Sequence, residues 1–331
     1  MRVILGKVAK VMVVLVLGVS GVLFGGVSDV DASTKRNPTF FIHGFDGHSE
    51  SMVDAISYTS GVKKQSAYNL VVVVGSGKSK KEHTVKIVPS GQRMVYIVDP
   101  AGKLISHRVL YKSGTKGIRD DLIQVVFVNN MAPISNQEKW LDSVLYKSVG
   151  SKGNLDFNIV GHSMGGLLGA NFLIKDNTSG KKHNLKKLVT VGSPLTGSRD
   201  FNKLKASYKP KSRAAGLLFE EALKSTALTN DLKNGGFVGD FIRKGKRLNT
   251  KATVISISYK DSGWGDSGDD IVGGSSTYAL AKVLSSDYYK SMKLTNIKGE
   301  PIRRHTSYFK HYQVNETINQ IIDNGKLAVF K

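Results

Sequence analysis

The segment that most restricts the fold is FNIVGHSMGGLLGANFLIK, residues 157–175. The strand-like run Phe157-Asn158-Ile159-Val160 leads into Gly161-His162-Ser163-Met164-Gly165, and a helical pattern follows at once. G-x-S-x-G between a strand and a helix is the pattern of a nucleophile elbow. The turn places Ser163 in a strained backbone conformation with its hydroxyl exposed. Side chains at 161 and 165 would collide with the neighbouring strand and helix, so both positions call for glycine. The helix N-terminus beside Ser163 leaves N–H groups free to face a developing oxyanion.

A serine hydroxyl alone is a poor nucleophile and needs a base, an orienting acid and oxyanion donors. With this elbow the partners follow in the order Ser, Asp or Glu, His. The strand-like TVISIS, residues 253–258, precedes a loop holding Asp261, Asp266, Asp269 and Asp270. A carboxylate just past a strand can reach back to a histidine. Asp269 is the expected acid, with Asp270 and Asp266 as alternatives. The cluster superficially resembles a calcium loop, but it lacks the terminal glutamate of that motif. His305 and His311 alone follow the cluster, and His305 is the expected base. His43, His48, His83, His107, His162 and His183 precede it and have the wrong order. His43-Gly44-Phe45 follows the first strong strand, so the N–H groups of Phe45 and Met164 are the expected oxyanion donors.

The remaining runs describe one α/β domain. Strand patterns lie at 38–42, 70–74, 122–128, 157–160, 185–191 and 253–258, with 38–42 and 122–128 reading as buried. Helical spacing marks 49–59, 136–149, 165–175 and 314–323. Continuous apolar strands alternating with helices imply a mainly parallel sheet covered on both faces. Short runs at 85–88, 94–98 and 104–110, punctuated by Pro-Ser-Gly and Asp-Pro-Ala-Gly, suggest an inserted β-hairpin arm. Gly75-Ser76-Gly77-Lys78-Ser79 mimics the end of a phosphate-binding loop. Val72 stands where that motif needs its first glycine, so a turn is expected there.

Residues 1–32 carry Arg2, Lys7 and Lys10, then an uncharged apolar run over 11–27, then SDVDA. This is the layout of a secretory signal cleaved near Ala32; an uncleaved membrane anchor is the alternative. Either reading places residues 33–331 outside the cytoplasm, secreted or held at the cell surface. The 331-residue chain contains no cysteine. That removes disulfide scaffolds, thiolate metal sites and cysteine nucleophiles, and fits export from a bacterium that does not rely on disulfides. The net charge of +22 implies an anionic neighbour such as an envelope polymer or membrane surface. No nucleic-acid module accompanies it.

FFIHGF, IVGHSMGG, VTVGSPLTG, the Asp269 loop and His305 together resemble the α/β-hydrolase superfamily. More narrowly, the chain is similar over roughly residues 36–325 to the DUF915 exported or cell-surface hydrolases of Gram-positive bacteria. In that family the acid loop reads S-D-G-x-V-P-x-x-S and the histidine segment H-S-x-L-H-x-N-P-x-V. Here they read GDDIVGGSS and HTSYFKHYQV, so Asp270 replaces a glycine, Gly273 a proline, Phe309 a second histidine and His311 an asparagine. The resemblance implies an α/β-hydrolase fold and a Ser163–Asp269–His305 triad, and a reaction by such a triad requires no cofactor or metal. It leaves the substrate open, because the fold hosts many activities.

Residues 196–250 lie between two sheet strands, where this fold carries a helical lid. The stretch is basic and holds Leu217, Leu218, Phe219, Leu223, Phe237 and Phe241. It fits either a cover for an acyl chain or a cap that packs down on the domain. The expected activity is hydrolysis of a carboxylic ester, from a small molecule or a lipid, with a short or medium acyl group. The alternatives are a non-catalytic envelope-binding relative of the same fold and an acyltransferase using the same triad.

Overall fold

A computed structural model describes residues 36–74, 80–149, 156–179, 184–199, 201, 213–260, 267–294 and 304–324. The N-terminal 32 residues, Asp261, Asp266 and residues 75–79, where a turn is expected, lie outside this set. Among the described residues, ten strands form two sheets. They are β1 (Thr39–Ile42), β2 (Tyr68–Val74), β3 (Lys81–Ile87), β4 (Gln92–Val98), β5 (Leu104–Arg108), β6 (Arg119–Phe127), β7 (Asp156–His162), β8 (Asn184–Val191), β9 (Thr253–Tyr259) and β10 (Tyr289–Leu294). Eight of them make one sheet in the order β10-β9-β8-β7-β1-β6-β4-β5, parallel except for β5. β2 and β3 pair separately as an antiparallel hairpin.

The helices are α1 (Val53–Ser60), α2 (Ile134–Val149), α3 (Met164–Ser179), α4 (Arg213–Leu223), α5 (Thr226–Asn234), α6 (Gly236–Arg243), the single turn α7 (Gly274–Thr277) and α8 (Tyr312–Asn324). Strand pleating assigns them to two faces. Phe40 and Ile42 of β1 join one core with Leu141 and Val144 of α2, Leu168 and Phe172 of α3, Leu232 of α5 and Val238 of α6. Phe41, between them, joins the opposite core with Ala55 and Ile56 of α1 and Val314, Ile318 and Ile321 of α8. A strand apolar on both sides is stable only when both faces are covered. The β2–β3 hairpin lays Val72, Val85 and Ile87 on Val95, Ile97 and Val126 of the sheet. No helix among the described residues is long and apolar enough to cross a membrane.

The hairpin expected over 94–98 and 104–110 forms as β4 and β5, and it lies within the main sheet: β4 pairs in parallel with β6 and carries β5 to the edge. β10 was not expected at all. Its sequence YKSMKL is largely polar and mostly exposed, as suits an edge strand pairing with β9 on one side.

The topology fixes where a site can form. β1 lies between β6 and β7, with Ile42 in register with Val125 and Gly161. The loops after β1, β7 and β9 therefore leave the same carboxyl edge of the sheet, where open α/β sheets place their ligands.

Candidate active site

Ser163 is the one residue between the end of β7 and the start of α3. Its φ is 51°, in the left-handed region that costs a non-glycine residue about 1 kcal/mol. Surrounding bonds impose the turn. The Ser163 N–H donates to the Val191 carbonyl at 2.8 Å, and its own carbonyl accepts from Gly166 and Leu167. A Cβ on Gly161 would stand 2.4 Å from the carbonyl of Gly165, and one on Gly165 would stand 2.4 Å from the carbonyl oxygen of Ile42. Both obstacles are backbone and cannot rotate away. Gly165→Ala should destabilise the protein by about 3 kcal/mol, read as a lowered urea midpoint; an unchanged midpoint would mean that α3 and β1 are not this closely packed.

The only other non-glycine residue with positive φ among those described is Asp46, at 52°, in the loop after β1. That loop presses on the elbow: a Cβ on Gly44 would lie 2.7 Å from the Ser163 Cβ. His43 braces it from beneath. Its Nε2 accepts the Phe127 N–H at 3.0 Å, so Nδ1 carries the proton and donates to the Gly44 carbonyl at 2.9 Å. Burial pushes the His43 pKa down to about 4, which keeps this tautomer across ordinary pH. Asp46 N–H donates to the Asn130 carbonyl and Asn130 returns a bond to the Gly47 carbonyl. Within this frame the N–H groups of Phe45 and Met164 find no acceptor among the described residues. The Phe45 ring meets Phe219 of α4 edge to face at 5.9 Å, so the segment between β8 and β9 packs directly on this loop.

Asp269 follows β9 and is completely buried. Four donors converge on its carboxylate. The Ile271 and Val272 N–H groups reach Oδ1 at 2.8 and 2.6 Å; His305 Nδ1 and the Tyr308 hydroxyl reach Oδ2 at 2.9 and 2.8 Å. Burial works against the charge, but His305 and these bonds outweigh it, so the carboxyl sits below its usual range. For His305, burial disfavours the cation, yet the charge and hydrogen bond of Asp269, with a contribution from Asp270, raise its pKa.

His305 opens a 3-10 turn (His305–Lys310) after the extended Arg304. Its ring lies 4.8 Å from that of His162, the residue just before Ser163, and its carbonyl accepts from His162 Nε2 at 2.9 Å. Burial, then the nearby His305, push His162 down to about 3, so it stays a neutral donor. The His305–Asp269 link is formed. Among the described residues, the Ser163 hydroxyl makes no hydrogen bond to His305, a common state of resting sites that tighten around substrate.

The two alternatives for acid and base occupy other positions. Asp270 binds the His305 main-chain N–H instead of its ring. His311 pairs with the Tyr259 hydroxyl at 2.8 Å. The Tyr308 contact with Asp269 escaped sequence reasoning, since nothing in the pattern of a buried tyrosine marks its hydroxyl as facing a carboxylate. Among the described residues, no group of three or more His, Asp or Glu is arranged around a common point to hold a metal ion.

Residues 82–324 match the family described as alpha/beta hydrolase of unknown function, DUF915. The chain belongs to this family. Among solved structures, this DUF915 hydrolase is similar to the lin2722 gene product of Listeria innocua, with 18% identity, a TM-score of 0.54, and 89% of this chain and 96% of that one covered. It is also similar to lipase BlEst2 of Bacillus licheniformis in mature form, with 14% identity, a TM-score of 0.44, and 86% and 91% covered. Carboxylesterase CesB of Bacillus subtilis matches at 12% identity with a TM-score of 0.41, covering 89% and 86%. No curated protein matches the sequence. The fold is that of the α/β hydrolases: an eight-stranded, mostly parallel sheet flanked by helices.

Proposed function

We propose that this DUF915 hydrolase is an exported serine esterase that cleaves carboxylic esters of short or medium acyl chain through an acyl-enzyme on Ser163. The observation that carries the reading is the left-handed Ser163 at the strand-to-helix turn, one residue from the histidine that holds the His305 backbone. An isolated glycine-rich turn has no reason to hold a serine in that conformation.

The proposed reaction runs through an acyl-enzyme. Ser163 Oγ attacks the ester carbonyl carbon while His305 Nε2 takes its proton. Asp269 keeps the other ring proton on Nδ1 and stabilises the imidazolium. The carbonyl oxygen, now an oxyanion, accepts from the Phe45 and Met164 N–H groups. The tetrahedral intermediate collapses, His305 gives its proton to the departing alcohol, and the acyl group stays on Ser163. Water, deprotonated by His305, repeats the sequence and releases the acid. Export is supported by the layout of residues 1–32, and attraction to an anionic envelope polymer or lipid surface by the net charge of +22. The apolar Phe219, Leu217 and Leu218 of α4 fit a cover over an acyl chain.

A p-nitrophenyl ester series from acetate to laurate tests the assignment. The expected result is turnover without added metal, with an optimum among the shorter members. No turnover with any ester, acceptor alcohol present or absent, would favour the non-catalytic envelope-binding relative.

The pH profile has a defined sign. His305 acts as base only when neutral, and its pKa is raised above 6.5. The acid limb of kcat/KM should therefore fall above pH 6.5, with activity lost as pH drops through it. A limb well below 6.5 would mean that His305 does not feel the Asp269 charge.

A further inference from the structure

We propose that Asp270 is a positioning residue for His305: its carboxylate accepts the His305 main-chain N–H at 2.7 Å and fixes where the imidazole stands. The inference rests on His305 being the base and goes beyond the triad by giving the neighbouring carboxylate a separate task.

Adjacent aspartates here do different work because they meet different atoms of the same residue, His305. Asp269 is completely buried and takes the ring; Asp270 is exposed and takes the backbone. The turn that carries them is stiff. Asp269 Oδ1 ties down Ile271 and Val272, Gly268 and Gly273 form an antiparallel bridge, and Arg199 donates to the carbonyls of Ser267 and Ile271. His305 begins a 3-10 turn that receives no cap from its own preceding residue, Arg304. Asp270 supplies the missing acceptor from across the site. With His162 donating to the His305 carbonyl, the base is gripped at its N–H, its C=O and its Nδ1 by three separate partners. Such a grip matters because an ångström of misplacement at a reacting group lowers turnover by roughly a hundredfold.

The charges facing His305 come from several elements. Asp269 and Asp270 belong to the loop after β9, His162 to the end of β7, Tyr308 to the same 3-10 turn, and Arg304 precedes it in sequence. His162 and Tyr308 are held neutral, the first chiefly by burial and the second by burial beside Asp269. Asp270 thus adds a second negative charge near the ring, and being exposed it is screened by salt.

The test uses the full chain with Asp270→Asn and Asp270→Ala. Asparagine keeps an acceptor oxygen and loses the charge; alanine loses both. Asp270→Asn should keep the kcat plateau and move the acid limb of kcat/KM to lower pH, by an amount that shrinks as salt is added. Asp270→Ala should show the same displacement and a plateau lowered roughly tenfold to a hundredfold. NMR titration of 13C-labelled histidine should show the His305 midpoint falling in both variants. That readout stands even if no ester is turned over, so a failure of the esterase reading is separable from a failure here. An Asp270→Ala enzyme with a wild-type plateau, an asparagine that does not restore it, or an unmoved His305 titration would each overturn the proposal.

Discussion

Ser163→Gly is expected to lose roughly a millionfold in kcat while being the more stable of two inactive variants. The reason lies in the backbone. Serine and alanine both carry a Cβ that is disfavoured at the observed φ of 51°, whereas glycine is not. Both substitutions remove the nucleophile, so both should be equally inactive. Relief of left-handed strain should leave Ser163→Gly about 0.5 kcal/mol more stable than Ser163→Ala, after allowing for the greater freedom of glycine in the unfolded chain. Chemical denaturation of the two variants measures the difference. A less stable glycine variant would mean that the elbow stores no strain at this residue.

Asp269→Asn should lower kcat by about ten-thousandfold without displacing His305. The argument is one of counting acceptors. Oδ1 takes two backbone N–H groups, and Oδ2 takes His305 Nδ1 and the Tyr308 hydroxyl. An asparagine has one oxygen, and the two fixed backbone donors claim it. Its NH2 then faces His305, which must present Nδ1 as an acceptor and carry its proton on Nε2. In that tautomer the nitrogen directed at Ser163 cannot accept a proton. Tyr308 can rotate its hydroxyl to adapt, but the imidazole can adapt only by changing tautomer. Steady-state kinetics would read the loss, and the Nδ1 proton resonance of His305 would disappear. A loss of only a few-fold would contradict the assignment of Asp269 as the acid.

How far the sequence revealed these features depends on the range of the forces involved. The elbow was legible because it is local: two glycines, a strand before and a helix after state the steric requirement within a few residues. The central strands were legible as apolar runs because both of their faces are buried. β10 was not, because YKSMKL buries only its end, Leu294, and takes its shape from pairing with β9. The β4–β5 hairpin was visible from its turns, yet its place in the main sheet rests on the parallel pairing of β4 with β6, which joins residues as far apart in sequence as Val98 and Phe127. Within the site, chain order left Asp269 beside Asp270 and His305 beside His311. Tertiary packing separates them: the buried carboxylate takes the ring of His305, the exposed one takes its N–H, and Tyr259 takes His311. The hydroxyl of Tyr308 on Asp269 depends on the 3-10 turn His305–Lys310 packing against Ser258 and Tyr259 at the end of β9, and no residue pattern announces that.

Labelling of the full chain with a fluorophosphonate, followed by peptide mass analysis, tests the central claim most directly, because the probe needs an activated serine and no knowledge of the substrate. The account predicts a single adduct on the peptide carrying Ser163, absent in Ser163→Ala and strongly slowed in Asp269→Asn. An adduct on another residue, or an unlabelled Ser163 in protein that still hydrolyses esters, would contradict it.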